Sequence, residues 1–220
     1  MLQTAALILA AGKGTRMHSD KPKVLQTVLG EPMLRYVLEA VRPVFDGRVL
    51  VVVGHQAGMV EAAFPDAAFV RQEQQLGTGH ALMQAMPALE GQCERVLVVN
   101  GDTPLLSEDV VRHFVEASAG ADLAFGTIEL DDPAAYGRVV RAAGGGVRAI
   151  VEAKDYDPAL YGPEPHEVNA GMYCVRLDLA ARLLPRIGNA NKSGEYYITD
   201  LISLAVAEGC KVQGVQCGRD

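Results

Sequence analysis

Residues 7–23 read LILAAGKGTRMHSDKPK, and they concentrate groups that bind anions. A short apolar run ends in Leu9, Ala10, Ala11 and Gly12, and Lys13, Arg16, Lys21 and Lys23 follow. Four cations fall within 11 residues, in a chain that carries 20 in 220. A strand feeding a glycine-bearing loop lets backbone N–H groups close around an anion, and the cations supply the countercharge. The natural guest is a polyphosphate, and the charge suffices for two negative groups to meet there. Two common phosphate loops do not fit. Met17 stands where the dinucleotide fingerprint needs its third glycine, and the Gly-Lys-Ser/Thr of a P-loop is absent. Arg16 and Lys23 are the first choices for direct phosphate contact, because a guanidinium matches an oxyanion pair and an ammonium acts as a point charge. Lys13 and Lys21 flank them as surface cations. Leu9, Ala10, Ala11 and Gly12 would bind through the backbone, where small side chains permit close approach.

Two later stretches carry further candidates. Gln72, Gly77 and Thr78 lie in RQEQQLGTGHA, between a strand and a helix start whose unpaired N–H groups point at a ligand. An amide side chain with backbone groups beside it suits the edge of a uracil. Asn100, Gly101 and Asp102 close the run RVLVVNGD. A carboxylate at the carboxyl end of an internal parallel strand sits where α/β proteins bind ligands, and it suits Mg²⁺. His18, His55, His80, His113 and His166 belong to no Ser/His/Asp set and read as surface or packing residues.

The elements that must position these groups follow from periodicity. Continuous apolar runs at 5–9, 49–53, 68–70, 95–99 and 122–127 read as strands covered on both faces. Between them, 33–41, 56–63, 80–86 and 108–117 repeat apolar residues every three or four positions, as helices do. This is a doubly wound α/β layout with a mostly parallel, Rossmann-like sheet. After residue 128 the pattern changes. Residues 138–141 and 147–151 flank Gly144-Gly145-Gly146 and read as an antiparallel hairpin. Residues 168–175 read as a strand, 177–187 and 200–207 as helices, 212–215 as a last strand, and the proline-rich 155–167 as a loop. A smaller mixed β/α subregion therefore follows a nucleotide-binding half of about residues 1–128, with the substrate cleft between them.

Composition excludes several classes. The net charge of −7 and pI near 5.3 argue against nucleic acid as partner, the basic loop being a local exception. No apolar run approaches the ~20 residues of a membrane helix, and no signal peptide is expected ahead of the first strand. Cys93, Cys174, Cys210 and Cys217 are scattered without a C-x-x-C pair, which fits reduced thiols in the cytoplasm.

LAAGKGTRM with KPKVL, then QEQQLGTGHA, NGDTPLL, YGRVV, IVEAKD, VNAGMY and GEYYITD, appear in this order. Together they resemble the uridylyltransferase domain of bacterial N-acetylglucosamine-1-phosphate uridyltransferases, within the sugar-1-phosphate nucleotidyltransferases. The resemblance runs from about residue 4 to the end. It implies transfer of a uridylyl group from UTP to N-acetylglucosamine 1-phosphate, giving UDP-N-acetylglucosamine and pyrophosphate with Mg²⁺, for cell-envelope precursors. It implies that Arg16 faces the leaving pyrophosphate and Lys23 the α-phosphate and the sugar phosphate. It places Gly137, Glu152 and Asn169 at the sugar in the half from about 129 to 220, with Glu195, Tyr197 and Thr199 either lining that pocket or, for Thr199 or Asp200, capping a helix. Two departures stand out: Asn100 replaces an aromatic residue, and Ala170 replaces a threonine. The resemblance further implies an Asn beyond the last strand that completes the metal site, then a left-handed β-helix acetyltransferase domain through which full-length relatives form trimers. No hexapeptide repeats occur in these residues, so the expectation is a monomeric uridylyltransferase domain of a longer protein. Alternatives are transfer of another nucleotide or to another sugar 1-phosphate, and a silent regulatory subunit that binds nucleotide sugars.

A cation that neutralises charge developing on the leaving pyrophosphate acts mainly in the transition state. Arg16→Ala is therefore expected to lose about 100-fold in turnover with much less loss of UTP affinity. Rapid-quench kinetics and calorimetry check it, and equal losses in both would make Arg16 a ground-state clamp.

Overall fold

The computed structural model describes residues 4–12, 14, 19 and 21–218. Lys13 and Arg16 lie outside the described residues. In chain order the elements are β1 (Thr4–Leu9), β2 (Thr27–Val28), β3 (Glu31–Pro32), α1 (Met33–Phe45), β4 (Val49–Val53), α2 (Ala57–Ala63), β5 (Ala68–Arg71), α3 (Thr78–Leu89) and β6 (Arg95–Asn100). There follow α4 (Glu108–Ser118), β7 (Leu123–Glu129), β8 (Arg138–Arg141), β9 (Val147–Val151), α5 (Pro158–Tyr161), β10 (Glu167–Arg176), α6 (Leu177–Leu183), α7 (Asp200–Ala207) and β11 (Val212–Gln216).

The main sheet runs β11-β7-β10-β6-β1-β4-β5. Neighbours β6-β1, β1-β4, β4-β5 and β11-β7 are parallel, whereas β10 runs antiparallel to both β6 and β7. The expected α/β, mostly parallel architecture is what forms. Side chains alternate between two cores. Ala5 and Leu7 of β1, with Val96 and Val98 of β6, pack toward Leu82, Ala85, Leu183 and Ile202 of α3, α6 and α7. Ala6, Ile8, Leu97 and Val99 pack on the other side, with Val37, Val41, Val60 and Phe114 of α1, α2 and α4. A strand buried on both faces has no polar alternation to show, which is why these runs read as continuous.

Several boundaries differ from the sequence reading. Helix α1 runs on to Phe45 through Pro43, and α3 to Leu89 through Pro87. Each proline sits in the last turn of its helix, where its missing N–H and its ring interrupt little that follows. Within 155–167 there is one helical turn, α5, started by Asp157 Oδ1 accepting from Ala159 N (2.9 Å). Residues 177–187 are not one helix: Pro185 falls in a 3₁₀ turn, Leu184–Arg186, that ends α6. The short β2-β3 ribbon, turned through Leu29 and Gly30 at positive φ, was not foreseen. Among the described residues no helix is long and apolar enough to cross a membrane.

Candidate active site

From β1 the chain crosses through α1 and α2 toward β4 and β5, and from α3 it returns on the other side to β6. The carboxyl ends of β1 and β6 therefore border the crevice where α/β sheets bind ligands. Leu9 pairs with Asn100, and Gly101 N donates to Leu9 O (2.9 Å). A Cβ on Gly101 would lie 3.1 Å from that oxygen and 3.3 Å from Val24 Cγ1, so glycine keeps the two strand ends in contact.

A cleft of about 820 Å³ opens at this point. It brings together Leu9, Ala11, Gly12, Lys23, Gln72, Gly77, Thr78, Asn100 and Asp102 of the sequence candidates. Ala10 does not line it: the residue is buried, and its N–H donates to Val52 O (2.8 Å) in support of the sheet. Lys21 also stands off the cleft, its N–H bonded to Ser19 Oγ (3.1 Å) and its carbonyl to Gln26 Nε2 (3.1 Å). Lys23 opens a 3₁₀ turn, Lys23–Leu25, and pairs its ammonium with the Asp102 carboxylate. Gly14, at φ +60°, lies so close to Lys23 that a Cβ would meet Lys23 Cβ at 2.7 Å. A side chain at 14 would push this lysine away from the acid.

The far end of the cleft is a zipped pair of loops. Gly79 N donates to Tyr196 O (2.8 Å), Tyr196 N to Leu76 O (2.8 Å), and Ile198 N to Thr78 Oγ1 (3.0 Å). Gly77 has φ +110°, and a Cβ there would fall 2.6 Å from Tyr196 O. Only glycine fits that turn. Gln72 is buried, with Nε2 donating to Gly77 O (3.0 Å) and placed 2.9 Å from His80 Nδ1. Its amide nitrogen is thus already engaged within the protein.

Gly137, Glu152 and Asn169 form a separate cluster beside the cleft. A Cβ on Gly137 would stand 3.6 Å from both Glu152 Oε1 and Asn169 Cβ. Asn169 sits where the β10-β7 register shifts, and its side chain is held at both ends: Nδ2 donates to Tyr173 Oη (2.6 Å) and Oδ1 accepts from Gly171 N (3.0 Å). Gly171, at φ +75°, lies against Asn100 Nδ2, which a Cβ would meet at 2.6 Å; this contact joins the two clusters. Thr199 Oγ1 donates to Glu152 Oε1 (3.1 Å) rather than capping α7, where no side-chain cap forms. Glu195 lines the main cleft, and Tyr197 stands near the acids of this cluster.

Charge accumulates in the second cluster. Burial pushes the Glu152 carboxyl above its ordinary range, the Thr199 hydrogen bond opposes this, and Asp155 and Glu195 add to it. Burial, then the charges of Glu152 and Asp155, push Asp200 up to about 6. Asp155 accepts from Lys192 N (2.9 Å) through Oδ1, while its buried Oδ2 has no partner among the described residues. Burial and the nearby Glu152 also push the Tyr173 phenol up. Sequence reasoning missed Gln75, Tyr173, Asp155 and Asp200. Gln75 lines the cleft and donates to Gln72 O (2.9 Å), and its place in the same QEQQ run was the available signal. The other three depend on contacts distant in sequence.

Residues 6–160 match the family of MobA-like NTP transferase domains. The chain belongs to that family. This transferase domain is 66% identical over 220 residues to the bifunctional protein GlmU of Nitratidesulfovibrio vulgaris, covering 99% of the chain and 48% of that protein. It is 56% identical over 220 residues to GlmU of Oleidesulfovibrio alaskensis, covering 98% and 48%. The chain spans about half the length of the curated relatives it matches. The structure of the inositol-1-phosphate CTP transferase from T. maritima superposes with a TM-score of 0.74 at 18% identity, covering 99% of this chain and 86% of that one. HddC from Yersinia pseudotuberculosis superposes at 0.67 with 20% identity, covering 98% and 90%. At these identities the two structures speak for the fold alone. The domain is a nucleotidyltransferase.

The acid cluster sets a pH dependence. Folded Asp200 holds its proton up to about pH 6, against 3.8 for the ordinary carboxyl, so the folded chain binds more protons in that window. Its contribution to stability is full below about pH 4 and is lost as pH rises through about 6. Asp200→Asn is expected to flatten stability across this window and to raise it at pH 7.5 by about 1 kcal/mol, the shift being discounted for partial exposure. Urea midpoints at pH 4.5 and 7.5 measure it; the same pH dependence in both proteins would rule out a perturbed Asp200.

Proposed function

We propose that this domain joins UTP and N-acetylglucosamine 1-phosphate into UDP-N-acetylglucosamine and pyrophosphate, as the uridylyltransferase part of a GlmU-type protein. The observation that carries the reading is the Lys23–Asp102 pair in the crevice between the carboxyl ends of β1 and β6, next to the Leu9 to Gly12 backbone. On this reading, residues of about 1–128 hold the nucleotide and those of about 129–220 the sugar. Similarity to GlmU proteins along the whole chain supports the choice of base and sugar.

The sugar phosphate oxygen is ionised at neutral pH and needs no general base. It attacks the α-phosphorus of UTP; the new P–O bond forms as the bond to the bridging oxygen breaks, and pyrophosphate leaves with that electron pair. Like charge is the obstacle, so catalysis is positioning and neutralisation. Lys23 supplies a cation where the two phosphates meet, and Arg16 one for the departing pyrophosphate. Gly137, Glu152 and Asn169 orient the sugar through its hydroxyls and amide, a half-buried carboxylate and a fixed amide dividing the donors and acceptors. Gln72 and the Gly77 to Thr78 turn receive the base.

The donor set fits a divalent cation of the Mg²⁺ type. Among the described residues no three His, Cys, Asp or Glu side chains gather to hold a metal. Of the two carboxylates lining the cleft, Asp102 stands at the β6 end beside Lys23, and Mg²⁺ commonly takes one or two carboxylates with substrate phosphates and water. Bound there, the ion would neutralise phosphate charge. In the free chain Lys23 and Asp102 neutralise each other; an incoming triphosphate competes for the ammonium and frees the carboxylate.

Pyrophosphate release from UTP, dTTP, GTP and CTP, each with N-acetylglucosamine 1-phosphate and Mg²⁺, tests the proposal. Release with UTP in clear excess over the other nucleotides is expected, and silence with UTP overturns it. Asp102→Asn removes a rim charge without touching the core, so it should fold normally while turnover drops by about 100-fold or more. Near wild-type turnover at limiting Mg²⁺ would make Asp102 a turn residue.

A further inference from the structure

Gln72 lines the cleft, yet its side chain is among the few buried polar groups of the chain. An amide nitrogen carries two protons. Here one points to Gly77 O (3.0 Å), and His80 Nδ1 stands 2.9 Å away for the other. The Gly77 carbonyl is fixed by its φ of +110° and by the packing of that turn on Tyr196. Turning the amide over would set Oε1 against that carbonyl oxygen with no proton between them. The turned amide becomes tolerable only if His80 offers Oε1 an Nδ1–H in exchange, so the protonation of this imidazole decides the orientation.

The other ring nitrogen settles which form the ring takes. His80 Nε2 is 3.3 Å from Gln84 Nε2. A neutral imidazole has one acceptor, so Gln72 and Gln84 cannot both donate to it. Amide oxygen and nitrogen are assigned from their hydrogen bonds, and the exposed Gln84, turned over, presents its oxygen to an Nε2–H. Gln72 turns over only at a cost, because its oxygen would then face Gly77 O, whereas turning Gln84 costs nothing comparable. The ring is then the Nε2–H tautomer with its Nδ1 lone pair directed at Gln72.

We propose that His80 is a positioning residue for base choice: by accepting one Gln72 amide proton, it leaves Gln72 only an acceptor to present to a pyrimidine. This rests on the uridylyl-transfer reading. Uracil carries a proton on N3 and meets an acceptor favourably, whereas N3 of cytosine is itself an acceptor and is turned away. His80 touches neither base nor phosphate in this scheme; it acts through Gln72. On this proposal His80 does more than the surface or packing role that its sequence setting suggests.

The test compares kcat/KM for UTP and CTP, with N-acetylglucosamine 1-phosphate, in wild type, His80→Leu and His80→Asn. Leucine removes the acceptor, and the UTP-to-CTP ratio is expected to fall about tenfold, the scale of one hydrogen bond. Asparagine keeps an oxygen near the Nδ1 position and is expected to hold the ratio close to wild type. A wild type that prefers UTP, with a His80→Leu ratio unchanged, overturns the proposal alone. A wild type without that preference overturns the uridylyl-transfer reading and the proposal with it. Nitrogen-15 spectra of the histidines add a readout independent of turnover: the signal lost in His80→Asn should be that of an Nε2–H tautomer. An Nδ1–H tautomer overturns the proposal whatever the kinetics.

Discussion

The hydrogen bond from Gly101 N to Leu9 O (2.9 Å) fixes the distance on which the site depends. It holds the carboxyl ends of two parallel strands together where their crossovers part, and everything placed at the crevice is placed relative to it. On one strand end follow the small residues and the 3₁₀ turn that bears Lys23; on the other follows Asp102. The absence of a side chain at 101 lets the two backbones meet, and the absence of one at 14 lets Lys23 reach the acid. Two missing Cβ atoms thus do as much for the geometry as the charged groups they bring together.

The electrostatics divide the site into two regimes. At the Lys23–Asp102 end, opposite charges face one another and each is about a third exposed, so the free chain carries no large uncompensated charge there. At the Glu152 end, Glu152, Asp155 and Asp200 crowd together, with Thr199 and the backbone of Lys192 as the polar partners of the first two. Acids packed this closely and partly buried cannot all ionise at low cost. A neutral ligand rich in hydroxyls suits such surroundings better than a second anion, which agrees with a phosphate bound at one end and a sugar ring at the other.

Much of this was legible in the sequence, for definite reasons. Runs such as Val96 to Val99 have no polar alternation because both faces are covered, and that alone foretells a parallel sheet between helix layers. That Leu9, Ala11, Gly12, Lys23 and Asp102 border one cleft was legible because small residues, cations and a strand-end carboxylate are local signals. What escaped is non-local. Ala10 looked like its neighbours in the loop, yet Val52 of an adjacent strand takes its N–H. Gln72 looked free to bind, but Gly77 and His80 hold its nitrogen. Tyr173, Asp155 and Asp200 gain their character from burial and from partners tens of residues away, and no spacing in the chain encodes that.

Strand β10 has a consequence for the order in which the molecule is made. Strands β1, β4, β5 and β6 pair among themselves and are all synthesised within the first hundred residues. Strand β7 has no such neighbour: among the described residues its only ladder partners are β10 and β11, both later in the chain. During synthesis from the N-terminus, the β1-β6 crevice can therefore close while β7 still waits with two unpaired edges. The arrival of β10 both covers the open edge of β6 and recruits β7, and it carries Asn169 and Gly171 to Asn100 in the same act. The two ends of the site would be built one after the other, and a nascent chain halted before residue 167 would hold the β1-β6 crevice without Asn169 and Gly171.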